Sequence, residues 1–264
     1  MWIDLDGLKF GFDDQGYGLP VLFIHGFPLT RKLWSEQVGT LSRSHRALAL
    51  DLRGHGETQA VPGPYSMELL ARDCCALLDA LQIQVPVVLC GLSMGGYIAL
   101  AFYRLFAPRV AGLVLAATRA GADTAEGKQN RTRAIEVARI NGAAEIAESM
   151  LPKMFAPNTY QKSPHLVSQL RSMMAGTSTA GVLGALEGMR DRPDSEPMLA
   201  SIHVPTLIIH GAEDQLIPPG SAQDMHAAIP SSRLVILPEA GHIVNWEQPE
   251  LYNQAIFDFI SYMA

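Results

Sequence analysis

Charge is scarce in this chain of 264 residues, and no block of basic residues occurs. Charged residues make up 17% of the chain and apolar ones 48%, which excludes a largely disordered protein and predicts a sizeable core. The 20 basic side chains are outnumbered by 26 acidic ones, so a nucleic-acid-binding surface is not expected. A chain of this length holds one large domain, or one domain with an insertion.

Cysteine and long apolar runs are also scarce. Cys74, Cys75 and Cys90 form an odd set with two adjacent members, which is a poor disulfide framework, so we expect reduced thiols in a cytoplasmic protein. The opening MWIDLDGLKFGFDDQG is acidic where a secretory signal needs a basic start and an apolar core. No apolar segment approaches the ~20 residues needed to cross a bilayer, so no membrane association is expected.

Short β-branched runs alternate with helical patterns along the chain. Six of these runs show little polar alternation, which is typical of strands buried on both faces of a parallel sheet covered by helices. Residues 1–13 predict two more strands, in a hairpin that turns near Asp6 and Gly7. Ser66 predicts the N-cap of one helix, and Pro249 the first turn of the last. The six runs are PVLFI (20–24), RALAL (46–50), VPVVLC (85–90), AGLVLAA (111–117), VPTLIIH (204–210) and RLVILP (233–238).

Residues 119–200 interrupt this alternation, because they carry helical patterns and no convincing strand. They predict a helical cap inserted into a core formed by residues 1–118 and 201–264. Ligands of open α/β sheets bind at the carboxyl ends of the strands, so a cap inserted there is expected to act as a lid. The predicted fold class is therefore α/β, with a mostly parallel eight-stranded sheet flanked by helices.

A serine stands at one junction between a buried strand and a helix. The sequence GLSMGG (91–96) contains a G-x-S-x-G pattern in the strand-to-helix setting of a nucleophile elbow. Such a sharp turn strains the backbone of Ser93, and Gly91 and Gly95 relieve crowding because they lack a Cβ atom. The turn also places Oγ at a helix N-terminus, where developing negative charge is favoured. We therefore interpret Ser93 as a nucleophile.

A serine nucleophile needs a base and an orienting carboxylate. His242 follows the last predicted strand on a loop and is the leading candidate for the base, with His55 as its best rival. The carboxylate is Glu213 or Asp214, both directly after another strand. No HExxH motif or metal-type cysteine spacing occurs, so no metal is expected. The other histidines are interpreted as turn-shaping, surface or packing residues: His25, His45, His165, His203, His210 and His226.

Five motifs in order carry a resemblance that runs from end to end of the chain: HGFP, DLRGHG, GLSMGG, GAEDQLIP and GHIVNWEQPE. The chain resembles the α/β-hydrolases, whose triad follows the order serine, acid, histidine. The resemblance implies Ser93 as nucleophile, Asp214 as acid and His242 as base. It also implies an oxyanion hole formed by the backbone N–H groups of Phe27 and Met94, on a loop shaped by His25, and it implies no cofactor.

Within that family the chain is similar to small carboxylesterases and to 3-oxoadipate enol-lactonase-like members, a likeness carried by residues 116–131. The leading hypothesis is a carboxylesterase that cleaves small esters through an acyl-enzyme intermediate, as a monomer or small homo-oligomer. Apolar cap residues could line its acyl pocket, although ordinary helix packing is the better explanation for any single one of them. The pocket prediction comprises His25, Leu151, Met154, Phe155 and Trp246.

The sequence is also compatible with other functions. An enol-lactonase of an acidic substrate would need a cation in its pocket. A ligand receptor without turnover is a third interpretation, and Pro28 beside the oxyanion position resembles the cofactor-free haloperoxidases, which implies a perhydrolase side activity. Ser93 excludes dehalogenase chemistry, for which this family uses aspartate at the elbow. The candidate cations are Arg119, Arg131, Arg133, Arg171, Arg190 and Arg192.

Overall fold

Eight strands form a single sheet in the computed structural model, which describes residues 1–263. They are β1 (Trp2–Leu5), β2 (Leu8–Gln15), β3 (Pro20–Ile24), β4 (Arg46–Leu50), β5 (Val87–Leu92), β6 (Val110–Ala116), β7 (Thr206–Gly211) and β8 (Ser232–Leu237). Their order across the sheet is β1-β2-β4-β3-β5-β6-β7-β8. The two pairings made by β2 are antiparallel and all others are parallel, which confirms the predicted mostly parallel, eight-stranded sheet.

The central strands are buried at every position, which explains why their sequences lack polar alternation. The predicted bounds of β3 and β4 match the observed ones, whereas those of β5, β6, β7 and β8 differ by one or two residues. The largest shift is at β5, predicted at 85–90, because Gly91 and Leu92 continue the ladder by pairing with Leu115 and Ala116 of β6. The strand therefore runs up to Ser93 without a break.

Helices cover both faces of the sheet. Alternate residues of β3 enter opposite apolar clusters, Leu22 and Ile24 on one face and Val21 and Phe23 on the other, as the two-residue period of a strand requires. One cluster contains α2 and α3, and the other contains α1 and α11. The core helices are α1 (Ser35–Leu41), α2 (Met67–Ala80), α3 (Met94–Phe106), α9 (Gly220–Ala228), α10 (Val244–Glu247) and α11 (Pro249–Met263).

Helical structure fills the stretch between β6 and β7. It contains α4 (Ala125–Asn141), α5 (Ala143–Met150), α6 (Thr159–Lys162), α7 (Pro164–Ala175) and α8 (Thr179–Arg190). We call residues 119–200 the cap segment. Within residues 1–263, no helix combines the length and the apolar character that a membrane crossing requires. The three cysteines are buried free thiols, and burial raises the pKa of Cys90 to about 12.

Glycines of α8 bring the cap segment into direct contact with the core. A Cβ atom at Gly181 would collide with the carbonyl of Gly54, and one at Gly188 with the carbonyl of Tyr65. Ser178 reinforces the same contact, because its hydroxyl donates a 2.8 Å hydrogen bond to the Gly54 carbonyl. The backbones of helix and loop are therefore packed too closely for any larger side chain.

Replacing Gly188 by alanine should destabilise the protein, whereas the same change at Gly39 should not. Both residues lie in helices, but only Gly188 has backbone atoms where the new methyl group would sit. We expect Gly188→Ala to lower the free energy of unfolding by about 1–3 kcal/mol through overpacking. Gly39→Ala should raise it by about 0.5–1 kcal/mol, since alanine is the better helix former. Urea unfolding measures both, and equal effects would contradict the described packing.

Candidate active site

Ser93 occupies a strained bend between β5 and α3. Its φ of 56° and ψ of −114° place a non-glycine residue in a region that costs of order 1–3 kcal/mol. The bend persists because its neighbours are packed without space. A Cβ atom at Gly91 would meet the Gly95 carbonyl, and one at Gly95 would meet the Ile24 carbonyl. Only glycine fits at both positions, and the serine side chain is left facing a cavity.

A histidine and a carboxylate from two loops meet beside this bend. His242 follows β8 and Asp214 follows β7, and both are buried. Nδ1 of His242 lies 2.8 Å from Oδ2 of Asp214. The other carboxylate oxygen accepts hydrogen bonds from the backbone N–H groups of Leu216, at 2.8 Å, and Ile217, at 3.0 Å. Glu213, the other candidate acid, is exposed to solvent.

The environment of Asp214 keeps its carboxylate ionised. Burial acts to raise its pKa, but the charge of His242 and hydrogen bonds from His210, His242 and Ile217 outweigh this effect. The pKa therefore lies well below the usual range of an aspartate. Because an ionised carboxylate only accepts hydrogen bonds, Nδ1 of His242 carries a proton, and in the neutral imidazole Nε2 is then the acceptor. An imidazole in this state can take a proton from a hydroxyl group.

Ser93 and His242 line the same cavity, which has a volume of about 100 Å³. Ligand pockets usually measure ~300–1,000 Å³, so this one suits a small group. Its walls come from the core loops and from the cap segment. Besides Ser93 and His242, the lining residues are Phe27, Tyr97, Arg119, Arg131, Met150, Met189, Leu216 and Ile217.

Two backbone N–H groups flank Ser93 without acceptors of their own. Met94 is the first residue of α3, where the helix provides no acceptor. The N–H group of Phe27 donates no hydrogen bond to another backbone group within residues 1–263. The loop of Phe27 lies against the bend, since a Cβ atom at Gly26 would be 3.1 Å from Cβ of Ser93. Donors in these positions can stabilise an oxyanion formed at the serine.

His25 and His55 lie behind the Phe27 loop, and neither lines the cavity of Ser93. Nε2 of His25 accepts a 3.0 Å hydrogen bond from the Leu52 N–H, while its Nδ1 lies 2.8 Å from the Gly26 carbonyl. His25 therefore holds the loop in place. Burial lowers the pKa of His25 to about 4 and that of His55 to about 3. Within residues 1–263, Nδ1 of His55 lies 2.8 Å from the Arg53 carbonyl, and no hydrogen bond joins His55 to Ser93.

None of the five side chains predicted to form the acyl pocket lines this cavity. The carbonyl of Met154 accepts hydrogen bonds from the N–H groups of His242, at 3.0 Å, and Ile243, at 3.1 Å. This part of the cap segment therefore packs beneath the histidine loop, and its apolar side chains enter the core. Trp246 is fixed by a 2.8 Å hydrogen bond from Nε1 to the Leu33 carbonyl. The five residues are His25, Leu151, Met154, Phe155 and Trp246.

Two polar residues near the site were not singled out from the sequence. Nε2 of His210, interpreted as a surface or packing residue, lies 2.8 Å from the Ile217 carbonyl and 3.2 Å from Oδ2 of Asp214. Glu247 accepts a 2.7 Å hydrogen bond from the Gly241 N–H, next to His242. Its other oxygen accepts hydrogen bonds from two cap residues, the Ala156 N–H at 2.8 Å and the Thr159 hydroxyl at 2.6 Å. The only sequence signal was their position beside the triad candidates.

Comparison with known proteins identifies the family. The profile of the alpha/beta hydrolase fold matches residues 20–249, so the chain belongs to the α/β-hydrolase family. A thermophilic esterase from Thermogutta terrifontis, solved with malate bound, is 40% identical and superimposes with a TM-score of 0.95, over 99% of this chain and 97% of that one. The enol-lactonase from Burkholderia xenovorans LB400 is 28% identical, with a TM-score of 0.92 over 99% and 100% of the two chains.

A curated relative gives a similar result. The 3-oxoadipate enol-lactonase 2 of Acinetobacter baylyi is 31% identical over 236 residues, which cover 89% of this chain and 86% of that protein. The relatives therefore include both an esterase and enol-lactonases. They support a hydrolase that acts on small molecules, and they leave its substrate open.

The buried side chains of His25 and His55 should make the fold sensitive to acid. Their pKa values are lower when folded than the ~6.5 of a free imidazole, so the unfolded chain binds protons first as the pH falls. Their contribution is complete above about pH 6.5 and is lost towards pH 4 for His25 and pH 3 for His55. Between about pH 6 and pH 4, each should lower the free energy of unfolding by roughly 1.4 kcal/mol per pH unit.

Urea unfolding at a series of pH values checks this expectation. His55→Gln should reduce the pH slope by roughly 1.4 kcal/mol per unit. His165→Gln, in the exposed part of α7, is the matched control and should leave the slope unchanged. The same slope in the wild type and in His55→Gln would contradict the burial of a neutral imidazole at position 55.

Proposed function

We propose that this protein hydrolyses small carboxylic esters, with Ser93 as nucleophile, His242 as general base and Asp214 as its orienting acid. The observation that carries the proposal is the 2.8 Å contact between Nδ1 of His242 and Oδ2 of Asp214, with His242 and Ser93 on one cavity. Asp214 fixes the tautomer and orientation of the imidazole, and its negative charge stabilises the imidazolium that forms during the reaction.

The reaction proceeds in two halves. Oγ of Ser93 attacks the ester carbonyl carbon while its proton passes to Nε2 of His242, and the carbonyl oxygen becomes an oxyanion. When the tetrahedral intermediate collapses, the C–O bond to the alcohol breaks and the alcohol leaves with the proton from Nε2. Water then attacks the acyl-serine, gives one proton to Nε2 and forms a second intermediate. The acid departs, and Ser93 recovers the proton from His242.

The N–H groups of Phe27 and Met94 are the proposed donors to both oxyanions. A preorganised donor of this kind typically contributes about 3 kcal/mol to the transition state, because it is already aimed where charge develops. The rigidity of the Phe27 loop supports this role. His25 bonds to Leu52 within the core, and the Thr177 hydroxyl of the cap segment donates a 2.8 Å hydrogen bond to the Pro28 carbonyl.

The cap segment is proposed to act as the lid of this cavity. Met150 and Met189 contribute to its wall from α5 and α8. The small volume of about 100 Å³ supports short acyl groups, since a long chain has no space unless the cap moves. Flexible methionine side chains suit a wall that adapts to different small substrates.

Hydrolysis of an enol-lactone is the second candidate function. A lactone is a cyclic ester, so the same steps apply, except that the leaving alcohol stays attached to the product. The enol-lactonases from Acinetobacter baylyi and Burkholderia xenovorans support this candidate, as does the malate bound to the Thermogutta terrifontis esterase. The structural observation in its favour is that Arg119 and Arg131 line the cavity of Ser93, because an acidic substrate needs a cation there.

Two substitutions test the proposed triad. Ser93→Ala removes the nucleophile, and Asp214→Asn removes the charge that fixes the imidazole tautomer, so each should lower kcat for 4-nitrophenyl acetate by ~10⁴-fold. Glu213→Gln, an exposed neighbour of Asp214, should change it less than about twofold. Circular dichroism would show that all three variants fold. Strong loss in Glu213→Gln with activity retained in Asp214→Asn would overturn the assignment of the acid.

A substrate panel tests the preferred ester class. We expect kcat/KM to be highest for 4-nitrophenyl esters with acyl chains of about two to four carbons, and to fall for chains of about eight, because the cavity is small. An enol-lactone assayed beside them compares the two candidates directly. Faster turnover of the lactone than of every simple ester would favour the lactonase. Absence of turnover with all substrates, despite a folded protein, would contradict both.

A further inference from the structure

Arg119 and Arg131 are the cationic side chains of the cap segment that line the cavity of Ser93. Both bind the carboxylate of Asp123, whose side chain is only 2% exposed. Arg119 contacts Oδ1 through Nη2, and Nε of Arg131 is 2.9 Å from Oδ2. A third guanidinium, that of Arg192, also reaches Oδ1, at 2.8 Å. One carboxylate thus holds three arginines.

This cluster carries an excess of positive charge. Burial acts to raise the pKa of Asp123, but the charges of Arg131 and Arg192 outweigh it and lower the pKa, so the carboxylate is ionised. Three guanidinium groups and one carboxylate leave two positive charges uncompensated within the cluster. No aspartate or glutamate lines the cavity itself among the described residues. A negatively charged ligand in the cavity would therefore not compete with a lining carboxylate for the arginines.

Arg192 makes structural contacts through both of its Nη atoms. Its Nη1 donates a 2.9 Å hydrogen bond to the Met189 carbonyl, and its Nη2 a 2.7 Å hydrogen bond to the Gly121 carbonyl. The guanidinium also stacks over the ring of Tyr97, at 4.2 Å from the centroid. Arg192 is therefore a buried anchor, and it does not line the cavity.

Arg119 and Arg131 keep unused donors. Within residues 1–263, Nη1 and Nη2 of Arg131 and Nη1 of Arg119 donate no hydrogen bond to a protein acceptor. Asp123 meanwhile fixes one edge of each guanidinium. Arginines held in this way lose little conformational freedom when they bind a ligand, and their planar forks match a carboxylate.

We propose that Arg119 and Arg131 form a carboxylate-binding site, so that the preferred substrate carries a free carboxylate in addition to its scissile ester bond. The inference rests on the proposed function, because it places the ester carbonyl at Ser93. A neutral ester would offer no negative charge to the two guanidinium groups that line the cavity, whereas a carboxylate would form charge-assisted hydrogen bonds with them. The cavity of about 100 Å³ limits the spacer between the two groups to a few carbon atoms.

Arg131 should contribute more than Arg119. Arg119 also borders a second cavity of about 460 Å³ between the start of the cap segment and α9. That cavity is lined by two exposed acids, Glu196 and Asp224. Arg131 lines the cavity of Ser93 and not this outer one, so the acids of the outer cavity do not compete with a substrate for it.

The kinetic test compares two esters that differ only in charge. Mono-4-nitrophenyl glutarate carries a carboxylate on the acyl side, and its analogue has a carboxamide in that place. We expect the wild type to prefer the carboxylate by about tenfold or more in kcat/KM, because a hydrogen bond to a charged group is stronger than one to a neutral amide. Arg131→Gln should lower this ratio by about 10- to 100-fold, and Arg119→Gln by a smaller factor. A matched pair with the charge on the alcohol, 3-acetoxypropanoate and its amide, reports the orientation.

Arg133→Gln is the control, because Arg133 lies on the same helix, is exposed and does not line the cavity. It should leave the ratio unchanged. Arg131→Lys keeps the charge and should retain part of the preference, which separates lost recognition from lost folding. A ratio near one for both substrate pairs in the wild type would overturn the carboxylate site.

Binding without turnover separates this proposal from the proposed hydrolysis. Calorimetric titration of Ser93→Ala with glutarate should show binding that is weakened at least tenfold in Ser93→Ala/Arg131→Gln, whereas glutaramide should bind poorly to both. If glutarate binds in this way and no ester is cleaved by the wild type, the carboxylate site stands and the hydrolase fails. If esters are cleaved and glutarate binds no better than glutaramide, the hydrolase stands and the carboxylate site fails.

Discussion

The close approach of α3 to β3 and β5 is the constraint on which the site depends. It leaves no space for a Cβ atom at Gly91 or Gly95, and it forces Ser93 to a positive φ. A strained residue persists only where its surroundings determine its conformation. Here residues 94–103 of α3 are all buried, so the apolar burial of this helix offsets the strain. The bend at Ser93 and the centre of the hydrophobic core are therefore parts of one packing arrangement.

The cap segment contributes to the position of the histidine as well as to the cavity. Glu247 bonds to Gly241 on one side and to Ala156 and Thr159 on the other, and the Met154 carbonyl accepts the N–H of His242. Burial raises the pKa of Glu247, although its hydrogen bonds oppose the shift. A lid that swung away as one body would break these bonds and disturb His242. A cap movement that admitted substrate without disturbing His242 would therefore leave residues 154–159 in place and involve other parts of the cap.

The sequence was sufficient to predict features that depend on local pattern. Buried strands, the bend at Ser93 and the loops that follow β7 and β8 have local signals, and parallel strands place those loops at one edge of the sheet. The sequence placed Arg119 and Arg131 among six candidate cations but could not select them or the apolar residues of the pocket, because the direction of a cap side chain depends on how its helix packs. Phe155 and Arg131 illustrate this. Phe155 is apolar and enters the core, whereas Arg131, on the largely polar helix α4, lines the cavity.

Opposite charges occupy two sides of this cavity, in a protein whose net charge is −6. Asp214 lies behind His242, where its charge would stabilise the imidazolium of the proposed mechanism, and the excess positive charge lies on the cap, around Asp123. A substrate carboxylate bound by Arg131 would lie away from Asp214. Its negative charge would therefore not repel the carboxylate that the proposed base, His242, needs as its partner. Asp123 makes this separation possible, because it orients the arginines and neutralises only one of them.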